Sequence, residues 1–215
     1  MYVVTIDQRG SRSSGDRVPG LLDELDAVPC VSPFERTAGD EVQGLLDSPA
    51  GVRDALLAAL RDGDWHCGVG IGLVDDESYA SGTRAGRGPA YLAAREAVEA
   101  AKGLPGSVAV RAFVGAEPAP GSGTAWADDC EAVWGLVAPL VLDRTAAQWR
   151  AVDAVDAAET QAAAAKALGI TPASVNGALR ASRIREERAA YPVLDRLLAG
   201  AHLATVTAAT EGGVA

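Results

Sequence analysis

Apolar residues recur along this chain with two different periods, and each change of period marks an element. Alternating or β-branched runs predict strands at Tyr2–Asp7, Val31–Thr37, Glu41–Leu46, Trp65–Val74 and Val108–Val114. Three- and four-residue spacing predicts helices. Leu21, Leu22, Leu25 and Val28 share a face of Val18–Val28, and Val52, Leu56, Leu57 and Leu60 share a face of Pro49–Arg61. Gly88-Pro89 opens a helix that reaches Lys102 and is closed by Gly103, and Ala125–Leu142 is a long apolar helix holding Trp126, Val133, Trp134, Val137 and Leu140. Ala38-Gly39-Asp40, between two strand-like runs, is a hairpin turn. The order βαββαβ, then α, β, α, predicts an α+β domain over residues 1–142, a ferredoxin-like sandwich.

From Asp143 the strands stop. Thr145–Ala158 predicts a helix with Trp149, Val152 and Val155 inward, and Glu186–Leu198 a last one with Val193, Leu194 and Leu197. Between them lies QAAAAKALGITPASVNGALR, Gln161 to Arg180. Ala165 is small enough for a second helix to cross close by. Gly169 suits the left-handed residue after a helix end. Thr171 is placed to cap the next helix, with Pro172 in its first turn. Val175 and Ala178 then face inward with Leu168 and Ile170. This register is that of a helix-turn-helix, whose second helix enters a DNA major groove; the alternative is an ordinary alanine-rich helical hairpin. On the first reading Thr171, Pro172, Ala173, Asn176, Gly177 and Arg180 face the groove, with Arg183 close behind. Asn176 is suited to adenine and Arg180 to guanine or phosphate. The expected all-α DNA-binding domain spans 143–203, and 204–215, ending TAATEGGVA, is expected to be a flexible tail.

A net charge of −10 runs against a nucleic-acid partner until it is divided along the chain. Residues 1–140 carry 11 basic and 21 acidic side chains, and residues 141–200 carry 8 and 7, so the acid belongs to the first domain. Arg180, Arg183, Arg185 and Arg188 gather at and after the candidate recognition helix. An apolar content of 48% is that of a folded globular chain. No apolar run is long enough for a bilayer, and the N-terminus lacks the basic and apolar regions of a signal peptide, so a cytoplasmic protein without a membrane partner is expected. Cys30, Cys67 and Cys130 are odd in number and far apart, against a disulfide framework or a zinc site. With only His66 and His202, a histidine metal centre or a Ser–His triad is not expected.

Asp7 ends the first strand and Asp40 sits on the hairpin tip, places that lie side by side in a βαββαβ sheet. Two carboxylates there would suit Mg²⁺ or Mn²⁺. Glu41, next along, is expected on the opposite face. The alternative is that Asp40 and Glu41 are solvated turn acids and Asp7 caps a loop.

The stretches VVTIDQRGSR and TAGDEVQ resemble the first metal-binding strand and the hairpin of class III nucleotidyl cyclases and GGDEF-type cyclases. CGVGIGLV with GRGPAYLAAREAVEAAK is similar to a later strand and helix of those palm domains. The chain resembles the SatD family of bacterial proteins more closely, through Asp7, Ser11, Arg12, Gly39, Asp40, Glu41, Ala94, Arg95 and Glu96. The resemblance implies a palm-like fold over about the first 115 residues and a site in which Asp7 and Asp40 hold a metal while Ser11, Arg12 and Arg95 meet a nucleotide. The cyclase pattern is incomplete. Ala38 and Val42 stand where GGDEF enzymes have glycine and phenylalanine, and Tyr91 occupies the class III asparagine position four residues before Arg95. This implies a site that binds without turnover, and hence a sensing or dimerisation domain; the alternative is a metal-dependent nucleotide-processing enzyme. A nucleotide and a second copy of the chain are the further expected partners.

The run GVGIG at Gly68–Gly72 lies within a strand, so close helix packing accounts for it better than a dinucleotide fingerprint. The loop Ser81–Gly88 is a candidate phosphate cradle or a plain surface loop.

Overall fold

The structure, a computed structural model, describes residues 1–11, 15–75, 83, 86–113 and 121–212. The fold is α+β. Its strands are β1 (Tyr2–Gln8), β2 (Ser32–Arg36), β3 (Glu41–Leu46), β4 (Trp65–Ile71) and β5 (Val108–Ala112). The helices are α1 (Val18–Leu25), α2 (Pro49–Asp62), α3 (Pro89–Ala101), α4 (Gly123–Leu142), α5 (Ala146–Asp156), α6 (Gln161–Leu168), α7 (Pro172–Ser182) and α8 (Ile184–Gly212). The strands form one mixed sheet in the order β2-β3-β1-β4-β5, antiparallel except for the β4–β5 pair.

Alternation along β1 sends Tyr2, Val4 and Ile6 into the main core, where α1, α2, α4 and α8 cover the sheet around Leu56, Trp65, Trp134 and Leu194. The other face meets α3. Helix and strand approach so closely there that a Cβ on Gly70 would lie 2.1 Å from the Ala90 carbonyl oxygen, and one on Gly68 2.2 Å from the Val98 nitrogen. The glycines of β4 are thus a helix seat, as their place inside a strand implied.

A second, smaller core joins Val152 of α5, Ala165 of α6, Val175 and Leu179 of α7 and Ile184 of α8. Helix α8 belongs to both: Ile184 lies in the small core and Leu194, Leu198 and Ala201 in the main one. The expected flexible tail is corrected from residue 204 to 212, where α8 continues. Thr205 is 2% exposed and its hydroxyl donates to the Ala201 carbonyl at 2.7 Å. The start of α4 holds it there, because Gly123 leaves room for Thr205 against the α4 backbone. Val193, expected inward, is exposed, and Leu198 is buried beside Leu194 instead. No helix among the described residues is long and apolar enough to cross a membrane.

Candidate nucleic-acid interface

Local chemistry builds the α6–α7 pair. The Thr160 hydroxyl accepts from the Ala163 N–H at 3.1 Å and starts α6. Gly169 stops it in the left-handed conformation, φ 67°, while its N–H and that of Ile170 return to the Lys166 and Ala165 carbonyls at 3.2 and 3.1 Å. Thr171 then caps α7 by accepting from the Ser174 N–H at 3.1 Å, with Pro172 in the first turn.

Ala165 and Val175 are buried where the helices cross. Thr171, Pro172, Ala173, Asn176, Gly177, Arg180 and Arg183 are all exposed, so one face of α7 carries the candidate DNA-reading residues into solvent. The inward set is corrected at Ile170, which is 43% exposed in the turn; Leu179 and Ile184 fill the core in its place. Leu179 follows Val175 by one helical turn and was legible on that ground. Ile184 was not, because it enters the core only after the chain turns at Arg183.

The unit is fastened to the body by charge and by rings. Arg144, at the end of α4, has a fully buried side chain that donates to the Ser182 carbonyl at 2.9 and 3.1 Å and pairs with Glu187 of α8 at 2.5 Å. Trp149 of α5 lies between the Arg144 and Arg61 guanidiniums, 4.2 and 4.3 Å from its ring centre, and Arg61 also pairs with Asp153 at 2.7 Å.

Ion pairing sorts the cations. On the sheet side and along the junction, Arg17, Arg36, Arg53, Arg61, Lys102, Arg111 and Arg188 are each paired with carboxylates. Arg95, Arg150, Lys166, Arg180, Arg185 and Arg196 have no carboxylate partner among the described residues, and four of these lie between α5 and the start of α8. Arg180, Arg183 and Arg185 line one depression of about 430 Å³ with Leu179 and Glu186.

The residues expected at a metal or nucleotide site stand differently. In the β1–β3 register Asp7 is opposite Glu41, and residues directly opposite share a face, so Glu41 lies on the Asp7 side of the sheet and the expected opposite placement is corrected. Asp7 pairs with Lys102 at 3.3 Å, and the Glu41 carboxylate accepts from the Thr37 hydroxyl. Beside them His66 meets the Ser107 hydroxyl at 3.2 Å, and burial, helped by Arg9, lowers its pKa. Asp40 lines a separate depression with Gln8, Ser11, Asp16 and Arg36, where Arg36 pairs with Asp16 at 2.5 Å. Asp7 thus faces Lys102, while Asp40 lines the depression that holds Ser11. No group of three or more carboxylate, histidine or cysteine side chains able to hold a metal occurs among the described residues. Arg95 is exposed on α3, pointing away from the sheet that its helix covers. Arg12 and residues 81, 82, 84 and 85 of the Ser81–Gly88 loop lie outside the described residues.

Comparison with family models, with curated proteins and with solved structures finds no match for the chain.

Proposed function

We propose that this protein is a DNA-binding transcriptional regulator in which α6 and α7 form a helix-turn-helix and the sheet domain senses a ligand or mediates dimerisation. The observation that carries this reading is the exposed α7 face. Small and hydrogen-bonding residues, Thr171, Ala173, Asn176 and Gly177, allow close approach to base edges, and unpaired Arg180 stands at its far end. An acidic protein whose sheet-side cations are largely paired internally and whose unpaired cations gather around one helix pair is electrostatically suited to meet DNA with that pair alone.

The strand order β2-β3-β1-β4 supports a split βαβ, ferredoxin-like reading of the first domain, with β5 added beside β4. It is also the arrangement that the resemblance to palm domains and the SatD family implies.

A gel-shift series with duplexes drawn from random-sequence selection tests the function. Salt-dependent binding is expected, and Asn176→Ala should weaken the selected site by roughly 1–3 kcal/mol and relax specificity at one position. A wild-type protein with no salt-dependent affinity for any duplex overturns the proposal.

A further inference from the structure

We infer that Arg180, Arg183 and Arg185 form a phosphate clamp at the α7–α8 junction, separate in role from the base-reading part of α7. It binds the DNA backbone regardless of sequence. The inference rests on the DNA-binding reading and adds to it a division of labour and a residue, Arg185, outside the recognition helix.

The geometry of the junction carries it. The exposed positions in the first two turns of α7 are uncharged: Thr171, Pro172, Ala173, Ser174, Asn176 and Gly177. Positive charge begins at Arg180 and continues round the turn, and the three guanidinium-bearing residues line one depression.

Arg183 sits there in the left-handed conformation, φ 56°, a region where glycine is favoured and a long side chain is not. Nothing in the turn needs an arginine. The Ser182 hydroxyl donates to the Leu179 carbonyl at 2.8 Å and accepts from the Ile184 N–H at 3.3 Å, and Arg144 holds the Ser182 carbonyl from the buried side. These bonds shape the turn whatever residue 183 is, and the turn delivers the Arg183 side chain to the depression instead of continuing the α7 spiral. An arginine kept in glycine's conformation is accounted for by what its side chain reaches, and a guanidinium fork suits a phosphate.

Glu186 is the counterweight. It pairs with the Arg183 Nε at 2.7 Å, and both side chains are about half exposed. A hydrogen bond from its own backbone N–H, and then Arg183, lower its pKa, so it is ionised at neutral pH and offsets part of the cluster's charge. A phosphate entering the depression competes with this carboxylate.

The experiment measures affinity for a random-sequence duplex as a function of salt, for the full chain. Arg185→Ala and Arg183→Gly should each weaken binding several-fold and flatten the slope of log K against log salt by about 0.9, the value of one phosphate contact. Arg183→Gly should melt no lower than wild type, since glycine relaxes the turn, so lost affinity in that variant is not lost folding. Glu186→Gln should tighten binding several-fold, which a purely structural role would not produce. If wild type binds with a steep salt slope and Asn176→Ala weakens a selected site, but Arg183→Gly and Arg185→Ala keep the wild-type slope, the clamp is wrong and the DNA-binding reading stands. If wild type binds no duplex, both fall.

Discussion

At the residue scale the tightest constraint is the missing Cβ on β4. Gly68 and Gly70 admit the α3 backbone to distances that no side chain survives, and the facing backbone belongs to Ala90, Ala94 and Val98. The contact is between two backbones, so neither side has a flexible side-chain end that could move aside. Gly70→Ala should therefore lower the unfolding free energy by about 3 kcal/mol, at the upper end of overpacking costs. Urea denaturation measures it, and a change below about 1 kcal/mol would show that α3 shifts freely. Gly169 constrains in a different way: nothing lies within 4 Å of a Cβ built there, and its φ of 67° alone demands glycine. Both glycines were legible in the sequence, one from its place inside a strand and the other from its place after a helix.

At the scale of elements, the attachment of the α6–α7 pair depends on two buried charges. Arg144 and Glu187 are almost completely removed from water, 0% and 3% exposed, and Glu187 also accepts from the Tyr191 hydroxyl. Removing either partner leaves the other ionised in an apolar setting. Arg144→Met and Glu187→Met should each cost about 3–5 kcal/mol, while the double substitution should recover most of the loss. Additive losses in a double-mutant cycle would mean the two residues act separately. The β5 edge is handled by the same chemistry: the Glu131 carboxylate accepts from the Val110 N–H at 2.9 Å and pairs with Arg111, which donates to the Val110 carbonyl at 2.7 Å. That occupies the groups another strand would need, so association by sheet extension at this edge is disfavoured.

At the scale of the whole molecule, stability should depend on acid. Burial is the first cause lowering the pKa of both His66 and His202; His66 lies near Arg9 and Asp7, and His202 stands 5.3 Å from the Tyr2 ring. A histidine with a depressed folded pKa binds its proton more readily in the unfolded chain. Its contribution is complete above the ordinary value of 6.5 and is lost as pH falls through the folded value. Asp16, lowered chiefly by its hydrogen bond from Arg36, and Glu186 act in the same direction at more acidic pH. Burial also lowers the Met1 amine from 8.0 to about 6, so the melting temperature should begin to fall below about pH 8 and fall more steeply below about 6.5, and His66→Gln with His202→Gln should flatten only the steeper part. A melting temperature that rises on acidification would overturn the assignment.

Wherever a rule acts on neighbours in the chain, the sequence by itself determined the outcome. The hairpin at Gly39, the caps at Thr160 and Thr171, the left-handed Gly169 and the exposed face of α7 all follow from residues within one turn of each other. Tertiary structure decided whatever depends on register or on distant partners. Asp7 came to stand opposite Glu41 and to pair with Lys102, because cross-strand pairing, which no local spacing reveals, chooses which acids share a face. Residues after 203 became helix because Gly123, some eighty positions earlier, offered them a surface. Arg183 turned left-handed because Ser182 and the distant Arg144 hold the turn from beneath. Local propensity is written in the order of residues, whereas packing and burial of charge are settled only when remote parts of the chain compete for the same space.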